Sequence, residues 1–159
     1  MNSGFVVLLL ALGIGFVAGL RSLAAPAVVA WAAHLGWLNL QNSPLAFMGT
    51  LWAVAIFTVL AIVELVADQL PNAPARTAAV GLSARVVTGS LSGACVAVGA
   101  GGTLWLGIFA GAVGAIAGAF GGYQARVRLV RTLGVPDYAV AIPEDLVAIG
   151  FGLFLVSRF

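Results

Sequence analysis

Long, mostly apolar stretches alternate with short polar segments along most of the chain. Four of them cover residues 47–67, 78–98, 104–123 and 140–156. A helix that crosses the hydrocarbon core of a bilayer needs about 20 mostly apolar residues. Each of the four stretches is therefore predicted to be a membrane-spanning helix.

The N-terminal part of the chain gives a less regular pattern. Residues 4–20 are apolar and end at Arg21, and a second apolar stretch covers residues 23–38 with Pro26 near its start. Each stretch alone is marginal for a full crossing, so they form one long kinked helix or a broken or re-entrant pair. We favour one span, broken at its end or followed by a re-entrant or interfacial segment. The pattern predicts an all-α, polytopic transmembrane helix bundle of about five spans, in a single domain over residues 1–159.

Polar segments separate the predicted helices and indicate their orientation. Residues 39–44 form a polar turn, Pro71 and Pro74 end the helix before them, and residues 124–137 form the most polar loop, which contains three arginines. Basic loops stay in the cytoplasm. With five crossings the N-terminus shares that side, whereas six crossings place it outside.

The composition supports a membrane protein. Hydrophobic residues make up 62% of the 159 residues and charged residues 8%, against about 25% charged residues in soluble domains. The net charge of +2 gives no reason to expect a nucleic-acid partner. The single cysteine, Cys95, excludes an internal disulfide. The first apolar stretch follows no basic residue, so we expect a retained span and not a signal peptide.

Glycines recur at every third or fourth position on three predicted helices, a pattern typical of a glycine zipper. These helix-packing glycines are Gly15, Gly19, Gly89, Gly93, Gly107, Gly111, Gly114, Gly118 and Gly122. Small residues let apolar helices approach closely, which is what holds them together in lipid. Packing within the bundle, a homo-oligomer interface and a glycine-lined groove are all compatible with the pattern. We expect a homo-oligomer that uses these faces.

The candidate vestibule residues are the ionisable side chains Arg21, Glu64, Asp68, Arg76, Arg85, Glu144 and Asp145. The predicted topology places six of them on the side of the basic loops. Arg21 lies near the opposite face if the first helix simply crosses, whereas a re-entrant segment brings it back to the acids. A charge at the centre of a span costs about 2.5–3.5 kcal/mol on translocon scales, so such groups are paired, hydrated or interfacial. Three interpretations remain open: a salt-bridge lattice that fixes helix ends, a polar vestibule for an ion, a proton or an anionic solute, and a membrane-embedded lipid-phosphate enzyme.

Two of the polar side chains have competing interpretations of their own. Arg21 interrupts the first apolar stretch, and transporters use such broken helices at binding sites, but an arginine there also snorkels or pairs with an acid. His34 lies between Trp31 and Trp37 at helical spacing, which favours an interfacial position over a proton relay.

Several motifs resemble the domain of unknown function 4126 family of bacterial membrane proteins, over nearly the whole chain. They are GFVAGLRS over residues 15–22, APA over 25–27, AHLGW over 33–37, ELVADQLP over 64–71 and PED over 143–145. The resemblance implies a multi-pass protein of the bacterial inner membrane and brings no established activity or substrate.

The resemblance singles out the same charged residues, with one departure. The family usually has lysine where this chain has Gln69. Our leading hypothesis is a small transporter or channel-like protein with a charged vestibule on the cytoplasmic side. The alternatives are a structural or assembly protein without a substrate and the lipid-phosphate enzyme. No histidine pair, Asp-rich signature or activated nucleophile is visible, so we expect no catalytic residues, cofactor or metal. The expected partners are membrane lipids, a second copy of the chain and an unidentified ion or small solute.

Overall fold

The computed structural model describes residues 3–68 and 78–159, and within them the chain is helical, with no strand. The α-helices are α1 (Ser3–Leu20), α2 (Ala24–His34), α3 (Leu51–Ala67), α4 (Ala79–Gly99), α5 (Leu104–Leu133) and α6 (Asp137–Val156). A short 3-10 helix, Ala46–Gly49, precedes α3. The all-helical prediction is confirmed for this part of the chain.

Contacts between the helices show that successive helices run in opposite directions. Gly19 near the end of α1 lies against Ala115 of α5, and Gly15 lies against Gly111, so these two helices are parallel. The α4 helix runs the other way, because Arg85 in its second turn reaches the carbonyl oxygen of Gly19. Both chain termini therefore lie at the same end of the bundle.

The two ends of the bundle differ in character. We call the end that carries Arg21, Asp68 and Asp145 the charged end. The opposite end carries the exposed side chains of Trp37, Trp52 and Trp105, and we call it the tryptophan end. The N-terminus lies at the tryptophan end, whereas the five-crossing prediction placed it beside the basic residues. The reason is that residues 21–38 turn back.

The α2 helix returns from the charged end towards the tryptophan end. Its first turn lies beside Glu64 at the end of α3, while His34 Nδ1 lies 3.0 Å from the carbonyl oxygen of Gly49, just before α3 begins. Leu38 packs against Gly99 at the end of α4. The two N-terminal apolar stretches are thus an antiparallel pair and not one kinked helix.

Helix length divides the bundle into two groups. The helices α4, α5 and α6 are long and apolar enough to cross a membrane, whereas α1, α2 and α3 are shorter apolar helices. The 11 residues of α2 extend only about 16 Å at 1.5 Å per residue. Length alone therefore supports three spans among the described residues and does not confirm five.

The structure corrects the predicted boundaries on both sides of the basic segment. Residues 124–137 were predicted to be a loop, but α5 continues to Leu133 and ends at Gly134, whose φ of 63° is left-handed. Arginine is a good helix former, and nothing before that glycine interrupts the helix. The α6 helix begins at Asp137, so Glu144 lies two turns inside it and not at its N-terminus.

The α3 helix also begins later than predicted. Thr50 caps its start.

Glycine backbones form the contacts among α1, α4 and α5. A Cβ atom on Gly111 would overlap the carbonyl oxygen of Gly89, and one on Gly107 would overlap that of Gly93. Gly114 and Gly118 lie in the same way against the backbone of α1. Gly122, the last of the series, is buried as well. The glycine faces are therefore covered within the chain.

Adding one methyl group to this contact tests it. We expect Gly111→Ala to lower the free energy of unfolding by about 1–3 kcal/mol, the usual effect of overpacking a core, because the clashing atom belongs to the backbone and cannot rotate away. Thermal unfolding of the detergent-solubilised protein measures the change. Gly150→Ala is the matched control, since a Cβ atom there meets nothing within 4 Å. Equal unfolding midpoints for the two variants would contradict this packing.

Candidate functional site

The candidate site is built around the break between α1 and α2. Helix ends leave backbone groups without intrahelical partners: carbonyls at the end of α1 and N–H groups at the start of α2. Inside an apolar bundle water cannot satisfy them. Neighbouring helices must therefore supply partners.

Glu64 of α3 supplies the partners for the start of α2. Its carboxylate accepts hydrogen bonds from the backbone N–H of Ser22 at 2.8 Å, the hydroxyl of Ser22 at 2.9 Å and the N–H of Leu23 at 2.8 Å. Leu23 is the N-cap residue and has no capping side chain of its own. A carboxylate from another helix thus takes the place of the usual cap, where the helix dipole also favours a negative charge.

Arg85 of α4 has the complementary role at the end of α1. Its Nε donates to the carbonyl oxygen of Gly19 at 3.1 Å, and its Nη1 donates to the carbonyl oxygen of Gly81 at 3.1 Å. The residue is buried. A cation near a helix C-terminus is stabilised by the dipole, so both helix ends at the break carry charges of the favourable sign.

Arg21 occupies the break itself and is completely buried. Its guanidinium pairs with Asp68 at the end of α3 and with Asp145 of α6. Nε and Nη1 each donate to a different carboxylate. One side chain therefore links the break to two helices that are distant in the sequence.

A second set of ion pairs lies beside the first. Arg126 of α5 binds the exposed carboxylate of Asp137 through two nitrogen atoms, and its Nη1 lies 3.6 Å from Oε2 of Glu144. These contacts hold the ends of α5 and α6 together across the Gly134 turn. They exist because α5 continues past the point at which the sequence predicted a loop.

The predicted residues meet at the charged end, apart from one that lies outside the described part of the chain. Those brought together are Arg21, Glu64, Asp68, Arg85, Glu144 and Asp145. Arg76 lies outside the described residues. Sequence reasoning missed Ser22, Arg126 and Asp137. Ser22 could have been predicted, because it directly follows Arg21 at a helix break. The ion pair between Arg126 and Asp137 depends on the boundaries of α5 and α6, which the sequence did not reveal.

Exposure decreases from the outer acid to the arginine. The side chain of Asp68 is 22% exposed, that of Asp145 11% and that of Arg21 0%. Towards the tryptophan end the next buried side chains are apolar, among them Val17 and Val29. The network is thus partly exposed at the charged end, whereas buried apolar side chains close it towards the tryptophan end.

The charged groups of the network are carboxylates and guanidinium groups. In the part of the chain that the structure describes, no three or more His, Cys, Asp or Glu side chains are grouped to hold a metal ion. Each guanidinium remains charged at any accessible pH.

Removing the central arginine tests the ion pairs. We expect Arg21→Met to destabilise the protein by about 3–5 kcal/mol, because it leaves two partly buried carboxylates without their cation. Combining it with Asp145→Leu should restore part of the loss. Thermal unfolding of the single and double variants, with Arg128→Gln as an exposed control, measures both effects. Strictly additive losses would contradict a direct pair.

The cap on α2 gives a separate prediction. Glu64→Gln keeps one carbonyl acceptor and should cost about 1 kcal/mol, whereas Glu64→Leu leaves buried donors unsatisfied and should cost about 2 kcal/mol or more. The helix content and unfolding midpoint of the two variants measure the difference. A Glu64→Leu variant as stable as Glu64→Gln would show that the carboxylate does not cap the helix.

Comparison with known proteins extends to almost the whole chain. The family model described as Domain of unknown function (DUF4126) matches residues 8–157. Comparisons with curated proteins and with solved structures give no match. The matched range includes every charged residue of the network. The resemblance inferred from the motifs is confirmed, and the chain belongs to the DUF4126 family.

Proposed function

We propose that this protein is a small transporter or channel-like protein of the bacterial inner membrane, with the charged network as its vestibule. The observation that carries the proposal is the fully buried Arg21, paired with acids from two other helices inside a broken helix pair. A solute or ion would reach this network from the cytoplasm.

The distribution of aromatic and basic residues supports this placement in the membrane. Trp105 and Tyr123 are exposed on the same helix, about 27 Å apart at 1.5 Å per residue. That distance is close to the hydrocarbon thickness of about 30 Å, and such residues prefer the interfaces. Arg126, Arg128 and Arg131 follow beyond Tyr123. The positive-inside rule then assigns the charged end to the cytoplasm and both termini to the outside, with α1 to α6 passing back and forth.

The energetics of buried charge favour a functional over a purely structural network. A buried ion pair is often no more stabilising than apolar packing of the same volume. Ionisable groups within membrane helices therefore generally mark solute or ion pathways. Transporters also place broken helices at their binding sites. The break at residues 21–23 combines both features.

The balance of charge favours a proton or a small cation as the transported species. Among the described residues, the network has four buried or partly buried acids and three such arginines. The acids are Glu64, Asp68, Glu144 and Asp145, and the arginines are Arg21, Arg85 and Arg126. The set has one negative charge in excess, which a proton or monovalent cation would neutralise. An anion is disfavoured further because Glu64 already occupies the start of α2, the position that bound anions take in transporters.

A structural protein without a substrate is the rival function. The observation that favours it is that Glu64 and Arg85 each satisfy a helix end. The glycine faces give this rival less support, because Gly89, Gly93 and Gly111 are covered by the chain itself. A homo-oligomer would need a different surface.

A liposome flux assay separates the two functions. The purified protein is reconstituted into vesicles that contain a pH-sensitive or cation-sensitive dye, and proton, Na⁺ and K⁺ gradients are applied in turn. We expect Asp145→Asn and Asp68→Asn to reduce flux of the transported ion about tenfold, because each removes a group that exchanges partners with it.

The controls keep folding and function apart. Arg158→Gln changes a charge at the tryptophan end, where the guanidinium lies 4.1 Å from the centre of the Phe154 ring, and should leave flux unchanged. Each variant is used only if its unfolding midpoint lies above the assay temperature. Wild-type flux in both aspartate variants, or no flux of any ion in the wild type, would contradict the transporter proposal and favour the structural protein.

A further inference from the structure

A groove opens on the surface of the bundle beside Arg126 and Glu144 of the charged network. It lies between α1, α5 and α6 and has a volume of about 410 Å³, within the range of about 300–1,000 Å³ typical of small-molecule sites. Its wall is apolar and includes Phe16, Leu20, Leu129 and Val147. The side chain of Val147 is exposed, so the groove is open to the surroundings of the bundle.

Glycine creates the space in this groove. A Cβ atom on Gly121 would meet only one atom, Cε2 of Phe16, at 4.0 Å. This position differs from Gly118, one turn earlier, where the same atom would overlap the backbone of α1. The α1 helix ends at Leu20 whereas α5 continues to Leu133, and the groove lies beside the part of α5 that extends past the end of α1.

Two charged side chains also line the groove. Arg126 and Glu144 contribute to its wall, and each side chain is 13% exposed. The bidentate partner of Arg126 is the carboxylate of Asp137, whose side chain is 65% exposed. An exposed carboxylate contributes little to an ion pair because water competes with it. A planar guanidinium binds a phosphate in the same two-pronged geometry.

We infer that this groove binds one anionic phospholipid, with an acyl chain against Phe16 and Val147 and its phosphate on Arg126 in place of Asp137. The lipid is the occupant that matches both features: an apolar chain suits the wall, and a phosphodiester suits the guanidinium. Arg126 also lies one turn beyond Tyr123, at the level where headgroups begin. This inference needs only the membrane location and does not depend on transport.

Native mass spectrometry of the detergent-solubilised protein tests the inference. Phosphatidylglycerol or phosphatidylcholine with the same acyl chains is added, and the fraction of protein carrying one lipid is measured against lipid concentration. We expect phosphatidylglycerol to bind about tenfold more tightly, because both lipids carry the phosphodiester but the choline cation of phosphatidylcholine offsets its charge beside Arg126. Equal retention of the two lipids would overturn the preference of the groove for an anionic phospholipid.

Paired variants separate the contribution of the groove from that of the charge. Gly121→Leu fills the groove and should abolish retention of both lipids, whereas Gly150→Leu, on an open surface of α6, should not. Arg126→Gln should remove the preference for phosphatidylglycerol. Asp137→Asn should strengthen phosphatidylglycerol binding, because it removes the competitor without touching the apolar wall.

Arg126→Gln should weaken phosphatidylglycerol binding and Asp137→Asn should strengthen it. The test therefore still gives an answer if one of the two variants folds poorly. Unfolding midpoints with and without added phosphatidylglycerol provide the second readout: a rise in the wild type that is absent in Gly121→Leu supports the site. Wild-type retention in Gly121→Leu, or weaker phosphatidylglycerol binding in Asp137→Asn, would overturn the inference.

Discussion

The hydrogen bonds from residues 22 and 23 to the Glu64 carboxylate fix the point at which the chain reverses direction inside the bundle. Each buried backbone N–H group without a partner would carry a substantial desolvation penalty. The same reversal leaves carbonyl groups at the end of α1, and Arg85 binds one of them. Once both helix ends are satisfied by charged groups, Arg21 between them has Asp68 and Asp145 within reach. The partners of Glu64, Arg85 and Arg21 therefore follow from the reversal.

This arrangement couples five helices through a few atoms. The α3 helix contributes Glu64 and Asp68, α6 contributes Asp145, and α4 contributes Arg85, all around a break in the first helix pair. The glycine contacts hold α1 firmly to α4 and α5. Motion at the charged end is therefore expected in α2, α3 and α6, where partners can be exchanged. A proton or cation that binds an acid of the network would change those partnerships.

The sequence predicted those features best that a membrane environment allows in only a few ways. Apolar stretches in a chain with few charges predict membrane helices. Because charged residues are rare in such helices, Arg21, Glu64 and Asp145 were predicted to be candidate site residues. The glycine spacing predicted close helix contacts. These features depend on local composition and on spacing along one helix, which a single sequence contains.

Other features depend on contacts that a single sequence does not contain. The reversal at residues 21–23 is stabilised by Glu64, which lies about forty residues away. The continuation of α5 to Leu133 is supported by Arg126 contacts with Asp137 and Glu144. Helix length supports three spans among the described residues, so the count of about five crossings stays a prediction. Six of the seven charged residues predicted as a vestibule lie together at the charged end, but their individual partners could not be predicted, and their role as a vestibule stays a prediction.

Hydrogen exchange at the backbone amides of Ser22 and Leu23 tests the central claim most directly. In the purified protein, NMR or exchange mass spectrometry with single-residue resolution should find both amides protected, as buried hydrogen-bonded groups are. Protection should be lost in Glu64→Leu while the amides of α5 remain unaffected. Rapid exchange of both amides in the wild-type protein would contradict the account, because the helix break would then be hydrated and not capped by Glu64.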